Sequence, residues 1–496
     1  MLVVISDLHL EEEESVVIDP TGKRVGRRRN LPAKPFIDFA ARLAHDADHN
    51  RANRLDLVLA GDIFDIHRSG LWFKPAGGPM PWDAPVSPAL GAKVLAILNA
   101  IESQDQHEGD GVHDALAVFS RLARGKYLKG GEEVDFPLGP AKIRIHYLTG
   151  NHDRLCNATD EIRARVREIL GIPPAGPGER FPNQILFDDP PVLIRHGHEY
   201  EFTNFSVDNS KLKEIPLQLP QADYDAPAFG DLVTVQIASR LPAAFREHHG
   251  DAAILASGPL QHIYDRLIEF DDVRPQSALI EFVLNDPDVP RAQAWDAVEP
   301  VLRKILNELG GNAFLRKSLK ARDKWGLDAI DLVQAILGTR AWELTRKLPL
   351  KGIEAVIRQV RGGVEKPPVD YAAREKVIRD GTARLLIAGH THNPTVELAA
   401  SDATHGERYY VDTGTWRNRV PSTPDGKGFG HLKALTYVEV YRSDEDQPSK
   451  VDDPRSATTS ASDTAVPGAG STVEGQSQHQ RFSFDYWSGV TQRFGP

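Results

Sequence analysis

The sequence predicts an α/β protein that carries a large, mostly helical insertion. Leucine-rich and β-branched runs, typical of buried strands, occur in the first 198 residues and again after residue 383. Between them, over 199–380, apolar residues recur at helical spacing, as at Val301, Leu302, Ile305 and Leu309. With 496 residues, the chain is longer than one typical domain.

Polar residues stand where the strand-like runs end. The runs are 2–5, 55–60, 143–148, 192–194 and 385–388. An Asp after a single strand is usually a turn former, but here every one of these runs leads into Asp, His or Asn. The residues are Asp7 and His9, Asp62 and Asp65, Asn151, His152 and Asp153, His196 and His198, and His390 and His392. We therefore expect them to form one polar site at the strand ends.

The other elements follow from apolar periodicity and from turn-forming residues. Apolar side chains on one face predict a helix over 35–47, and further helices are predicted over 88–101, 112–124 and 160–170. Strands are predicted over 184–187, 409–416 and 434–441. The stretch 70–88 is rich in Gly, Pro and Trp, which predicts a loop.

The changes of pattern divide the chain. We predict a core in two parts, 1–198 and 381–442, interrupted by the insertion 199–380. Residues 443–480 are rich in Ser, Thr, Asp, Gly and Pro and are predicted to be disordered. The aromatic segment 481–496 predicts a terminal strand docked on the core, and a short partner-binding motif is the alternative.

Composition limits the class of protein. The net charge of −11 argues against indiscriminate nucleic-acid binding, although a local basic patch remains open. There is no run of 18 apolar residues, so no membrane span is expected, and the first residues predict a strand rather than a signal peptide. The single Cys156 excludes an intrachain disulfide. We expect a cytoplasmic protein, with its oligomeric state left open.

Two basic stretches each have two interpretations. The segment 23–29, with Lys23, Arg24, Arg27, Arg28 and Arg29, is either a solvated charged loop or a rim that steers phosphate groups toward the site. The stretch 303–366 is either a solvated helix face or a surface that faces the substrate.

The chemistry of the polar residues points to metal ions. Asp, His and Asn offer oxygen and imidazole ligands without thiolate, which suits Mn, with Fe, Zn, Co or Mg as alternatives. Two such ions about 3.5–4 Å apart need a bridging carboxylate, and together they generate hydroxide and clamp the oxygens of an in-line displacement at phosphorus. His67, His146 and His431 are interpreted as ordinary core or surface histidines.

The motifs Asp-x-His, Gly-Asp-x-x-Asp, Gly-Asn-His-Asp, His-Gly-His and Gly-His-Thr-His, in this order, resemble the calcineurin-like metallophosphoesterase superfamily in a bacterial-type form. The resemblance covers 1–198 and 381–442. It implies two packed β-sheets flanked by helices, with a site for two divalent metal ions at the strand ends. It also implies a phosphate-ester substrate.

The resemblance assigns a role to each motif residue. The first metal ion would be held by Asp7, His9 and His392, the second by Asn151, His196 and His390, and Asp62 would bridge them. His152 would lie over the scissile phosphate, where it stabilises charge or protonates the leaving oxygen. Asp65 would orient His152 through a hydrogen bond.

The sequence also departs from known branches of that superfamily. Ile66 and His67 follow Asp65 where the protein phosphatases have Arg-Gly, which disfavours that branch. The first motif is similar to the branches of UDP-2,3-diacylglucosamine hydrolase and the DNA-repair exonucleases, but neither explains a helical block between His198 and Gly389. Three functions stay open: hydrolysis of a phosphodiester or phosphomonoester, a metal-dependent nuclease acting on DNA or RNA, and a non-catalytic interaction module.

The insertion is expected to be a cap that sets substrate choice. It leaves the chain after His198 and returns before His390, so both of its ends lie at the rim of the predicted site. A separate domain that packs elsewhere is the alternative.

Overall fold

The computed structural model describes residues 1–13, 16–104, 110–274, 278–310, 312–314, 366–442, 444–445 and 483–491. Its strands are β1 (Leu2–Ile5), β2 (Val17–Ile18), β3 (Arg24–Val25), β4 (Leu55–Ala60), β5 (Lys126–Lys129), β6 (Glu132–Asp135), β7 (Ile143–Leu148), β8 (Gln184–Asp188), β9 (Pro191–Arg195), β10 (Val273–Arg274), β11 (Leu385–Ala388), β12 (Thr395–Asp402), β13 (Gly406–Asp412), β14 (Asn418–Pro421), β15 (Leu432–Tyr441) and β16 (Ser483–Thr491).

The described helices flank these strands and fill the insertion. They are α1 (Ala33–His49), α2 (Pro88–Glu102), α3 (Val112–Ala123), α4 (Asp160–Leu170), α5 (Gln221–Asp225), α6 (Phe229–Val233), α7 (Arg240–His249), α8 (Asp251–Ala256), α9 (Gly258–Ile268), α10 (Leu279–Leu284), α11 (Arg291–Gly310), α12 (Pro368–Ala372) and α13 (Lys376–Arg379). A π-helical stretch, Thr234–Ser239, joins α6 to α7. In the described part of the chain, no helix is both long and apolar enough to cross a membrane.

Two large mixed sheets confirm the predicted α/β class. The first has seven strands along the path β10–β14–β15–β1–β4–β7, with β16 paired to β15. Within it, β1, β4 and β7 are parallel neighbours. The second has five strands in the order β12–β13–β11–β9–β8, with β9, β11 and β13 parallel. Parallel neighbours bring their carboxyl ends to the same edge of a sheet, so the motifs after β1, β4 and β7 and those after β9 and β11 become neighbours.

The sheets pack face to face through apolar side chains. Val4 and Val58 of the first sheet share a buried cluster with Ile194, Ile387 and Val411 of the second. The central strands β1, β4 and β11 are buried along their whole length, which is why they are continuous apolar runs rather than alternating ones. On the outer faces, α1–α4 pack on the first sheet, and α12 and α13 pack on the second.

Helix boundaries follow local signals that the sequence carries. In α2, the Ser87 side chain accepts a hydrogen bond from the amide of Leu90, and Pro88 occupies the first turn, where its missing N–H costs nothing. The N-cap of α4 is Thr159, and the helix ends at Gly171, which has a φ of 71°. The four helices predicted within 1–198 all occur, with ends that differ by two residues or fewer.

Some predicted bounds are wrong. The strand predicted over 409–416 ends at Asp412, and the residues after it form a loop beside Asp7 instead. The hairpin β5–β6 and the strand β12 were not predicted, because their charged or partly exposed residues give no apolar run.

The described part of the insertion is largely helical and packs on the core. Leu241, Leu267 and Val301 belong to the same buried cluster as Phe36 and Leu57. Strand β10 also pairs in parallel with β14, which joins the insertion to the first sheet. The described part of the insertion therefore shares an apolar core with the first sheet. Apolar residues also recur at helical spacing over 330–337 and 353–360, which predicts further helices, but these stretches lie outside the described residues.

The C-terminal aromatic segment forms a strand. Residues 483–491 pair antiparallel with β15 from Lys433 to Tyr441, so the predicted terminal strand is confirmed. The predicted disorder of 443–480 falls on residues that lie outside the described ones, except 444–445. There, the Glu445 carboxylate binds the N-terminal amine of Met1 at 2.7 Å.

Candidate metal centre

The predicted motif residues meet at the carboxyl ends of β1, β4, β7, β9 and β11. Backbone hydrogen bonds join the loops directly, since the amide of Asp7 donates to Gly61 O at 3.0 Å and that of His9 to Asp62 O at 2.9 Å. Glycines permit this approach: a Cβ at Gly150 would collide with the Asp62 carboxylate, and one at Gly389 with that of Asp7. The five motifs therefore form one site.

Unfavourable backbone conformations are concentrated in this site. Among the described residues, six other than glycine have positive φ, and Arg51 alone lies away from the motifs. The others are Asp7 (51°), His9 (45°), Asp62 (53°), His390 (74°) and His392 (57°). Each costs on the order of 1 kcal/mol or more, so the surrounding hydrogen bonds must hold these side chains where they are.

Asp7, His9 and His392 form the first cluster. His392 Nε2 lies 3.4 Å from Asp7 Oδ1, and His9 Nε2 lies 3.7 Å from the same oxygen. The two imidazole nitrogens are 3.0 Å apart. Their ligand atoms are close enough to share one cation.

Asp62, His196 and His390 form the second cluster, together with Asn151. His196 Nε2 is 3.1 Å from Asp62 Oδ2 and 3.3 Å from Asn151 Oδ1. Candidate ligand atoms of Asp62, His196 and His390 lie within 4.8 Å of one another. The predicted second set is thus also brought together.

The Asp62 carboxylate lies between the clusters. Its Oδ2 is 3.1 Å from His196 Nε2 and 3.8 Å from His9 Nε2, while its Oδ1 accepts the backbone amide of His152 at 2.8 Å. Burial would raise the pKa of Asp62, but the nearby His196 and His152 hold that pKa well below its usual range. Asp62 is therefore an anion at neutral pH, placed as a bridging ligand would be.

The residues present fit divalent cations. Asp7 Oδ1 is buried and accepts no hydrogen bond, although a buried carboxylate oxygen normally has a partner. Oxygen and imidazole donors without thiolate suit Mn and related ions. An ion on this oxygen would satisfy it.

Hydrogen-bond partners outside the clusters fix which nitrogen of His9, His196 and His390 faces them. His9 Nδ1 lies 3.1 Å from Asp65 Oδ2, and His196 Nδ1 lies 2.9 Å from Ala60 O, so Nε2 of both rings faces the clusters. His390 is reversed, since its Nε2 lies 2.6 Å from Glu201 Oε2 and leaves Nδ1 free. Such partners fix the tautomer and raise the basicity of a metal-binding imidazole.

His152 stands beside the clusters with an acidic partner, as predicted. Its Nδ1 lies 2.8 Å from Asp65 Oδ1, and its side chain keeps 17% of its surface exposed. Burial would lower the pKa of His152, but the charges of Asp65 and Asp62 outweigh it and raise that pKa to about 10. His152 therefore carries a proton that it can donate.

Asp65 serves more groups than predicted. It faces His152 on one oxygen, and on the other it faces both His9 and Arg417, whose Nη1 lies 3.2 Å away. The same carboxylate therefore orients the candidate acid and a candidate metal ligand.

A buried cluster of charged side chains contacts Asp65 through Arg417. Arg29 is 1% exposed and binds Glu11 at 2.8 Å, Asp271 at 2.6 Å and Asp272 at 3.1 Å. Arg417 binds Asp272 at 2.6 Å. Neither interpretation of the 23–29 segment holds for Arg29, because the guanidinium is enclosed and cannot steer phosphate or face solvent.

Replacing Arg29 with Met should lower the free energy of unfolding by about 3–5 kcal/mol, because Glu11, Asp271 and Asp272 would lose the buried guanidinium that contacts all three at 3.1 Å or less. Arg303→Met is the control, since the Arg303 side chain is 73% exposed and its pair with Glu299 is worth about 0–1 kcal/mol. Urea unfolding of both variants measures the difference. Equal losses would contradict the role of the cluster.

Three residues near the site were missed by sequence reasoning. Glu201 and Arg274 belong to the insertion, and Arg417 follows β13. None stands in a motif, and charged residues are common in such segments, so no sequence signal separated them from surface charges. His146 and His431 are held by carboxylates at 3.0 Å, as ordinary histidines are. His67 is buried, and its Nε2 has no hydrogen-bond partner.

Searches of protein-family models and of curated proteins gave no match for this chain.

Proposed function

We propose that the protein is a two-metal phosphoesterase that hydrolyses a phosphodiester or phosphomonoester. The observation that carries the proposal is the position of Asp62, a buried carboxylate between a cluster of Asp7, His9 and His392 and a cluster of His196, His390 and Asn151. The two packed sheets flanked by helices support membership of the calcineurin-like metallophosphoesterase superfamily.

The chain's own residues supply positioning and a proton. A pair of bound divalent ions would provide hydroxide and clamp oxygens in a displacement at phosphorus, with Mn the expected metal. His152 donates its proton to the leaving oxygen, and Asp65 keeps the ring oriented through Nδ1. Arg417 holds Asp65 in turn. A single carboxylate therefore couples the candidate acid to the first cluster.

One of the two basic stretches that support the nuclease alternative is weakened by the structure. Arg29 is paired with buried carboxylates. The 23–29 segment therefore has fewer positive charges available to bind phosphate than its composition suggests. The other basic stretch, 303–366, lies mostly outside the described residues. A non-catalytic module is disfavoured because the family's inactive members lose motif histidines, and here His152, His390 and His392 are all present.

Turnover on a substrate panel tests the proposal. Small phosphomonoesters, small phosphodiesters, nucleotides and single- and double-stranded DNA would be compared with added manganese and with a chelator. We expect manganese-dependent hydrolysis of a small ester that the chelator abolishes. Preferred cleavage of DNA with a steep salt dependence would favour the nuclease instead. Full activity in chelator would contradict the proposal.

Glu201→Gln should weaken metal binding at the second cluster by about 10–100-fold, because His390 would lose the carboxylate that orients it. Glu214→Gln is a matched control in the same insertion, where Glu214 makes an exposed pair with Arg379. Manganese titration followed by calorimetry measures both. If the two variants bind manganese alike, Glu201 does not support the second cluster.

A further inference from the structure

Arg274 brings a positive charge from the insertion to the metal centre. It is the last residue of β10, which is held against β14 with Arg274 opposite Pro421. This pairing places Arg274 Nη2 3.0 Å from Nδ1 of His392. A residue far from the motifs in sequence therefore contacts a candidate metal ligand directly.

Arg274 forms no ion pair within 4.0 Å among the described residues, although Asp272, Asp271, Glu201 and Asp7 act on its charge from farther away. The other arginines near the site, Arg29, Arg68 and Arg417, each lie within 4.0 Å of acidic side chains. Arg274 instead donates from Nη1 to the carbonyls of Asp271 and Val273 at 2.6 and 3.0 Å, and no ion pair is formed by it within the described residues. The direct contacts of this guanidinium are therefore carbonyls and an imidazole, so it has no carboxylate that an anionic ligand would have to displace.

The contact with His392 cannot persist when His392 binds a metal ion through Nε2. A guanidinium has only donors, so Nδ1 of His392 must be the acceptor, and the ring proton is then on Nε2. A neutral imidazole that binds a metal through Nε2 carries its proton on Nδ1. Two donors would then face each other, and Nη2 of Arg274 must turn to another acceptor.

We propose that this acceptor is a non-bridging oxygen of the substrate's phosphate group, which makes Arg274 an anion-binding residue supplied by the insertion. The inference rests on the proposed function and extends it to a residue outside the motifs. Arginine presents its donors as a planar fork that matches phosphate geometry, which an ammonium group does not. The insertion would thus contribute to substrate recognition through a named side chain.

Binding of inorganic phosphate to the manganese-loaded protein tests this. Arg274→Met should keep both metal ions by elemental analysis and weaken phosphate binding by about 10–100-fold, the loss of one charge-assisted hydrogen bond. Arg274→Lys should lie between it and the original protein. Arg291→Met, which removes an exposed arginine of the same insertion, should bind phosphate normally.

Two results would overturn the role of Arg274 and leave the proposed function standing. One is unchanged phosphate affinity in Arg274→Met with both metals bound. The other is loss of a metal ion in that variant, which would mean that Arg274 merely holds His392. Failure of the unsubstituted, metal-loaded protein to bind phosphate would overturn it as well. If the unsubstituted protein takes up no metal, the proposed function itself fails.

Discussion

Replacing Asp62 with Asn is expected to lower turnover by about 10³-fold or more and to reduce the bound metal. One oxygen of Asp62, Oδ2, lies 3.8 Å from Nε2 of His9 in the first cluster and 3.1 Å from Nε2 of His196 in the second. Charge stabilisation by a metal ion is worth several kcal/mol, and each 1.36 kcal/mol is a factor of ten in rate. An amide oxygen carries no formal charge and cannot replace a bridging carboxylate.

Asp56→Asn is the matched control for this substitution. Asp56 lies on β4, the strand that leads to Asp62, is similarly buried and is bound by His146 and Arg442 away from the motifs. The Asp56→Asn variant should be less stable but should keep its metal ions and its turnover per folded molecule. If Asp62→Asn is as active as Asp56→Asn, Asp62 is not a bridging ligand.

His152→Ala should cut turnover by roughly 10²–10⁴-fold, the usual contribution of a general acid, while both metal ions stay bound. The neighbouring Asn151, not His152, supplies the amide oxygen near His196, so metal retention does not depend on the imidazole. Steady-state kinetics and elemental analysis of the same preparation separate the two effects.

His146→Ala is the control, because His146 lies on the strand that leads to His152 and pairs with Asp56 instead. It should be nearly fully active. Loss of a metal ion in His152→Ala would show that the ring is a ligand, which its closeness to His9 and Asp62 makes geometrically feasible.

The metal ligands could be predicted because their signal is local. Each follows directly from a buried strand, as Asp62 follows β4 and His196 follows β9, and the apolar runs of those strands fix where they end. Parallel pairing in two packed sheets then brings the ends together. The core helices were predictable for the same reason, since their caps and apolar faces lie within a few residues.

The supporting residues could not be predicted, because their role depends on contacts between distant parts of the chain. Glu201 reaches His390 across 189 positions, and Arg417 reaches Asp65 across 352. Arg29 is a plain basic loop residue until Asp271 and Asp272 pack against it. Ion pairs between buried residues that are distant in sequence produce no periodic pattern in the sequence.

These contacts also change what the insertion is expected to do. If the insertion were only a cap, its removal would leave hydrolysis of a small generic ester intact. Here the insertion supplies Glu201 to His390, Arg274 to His392 and Asp272 to Arg417. Removing 199–380 would therefore disturb metal binding and the orientation of Asp65 together, so single substitutions are the better test of its role in substrate choice.

The metal content of the purified protein tests the central claim most directly. Protein loaded with manganese and freed of excess metal should contain about two ions per chain by elemental analysis, and Asp62→Asn should contain fewer. One ion per chain, or none, in the unsubstituted protein would contradict a two-metal centre.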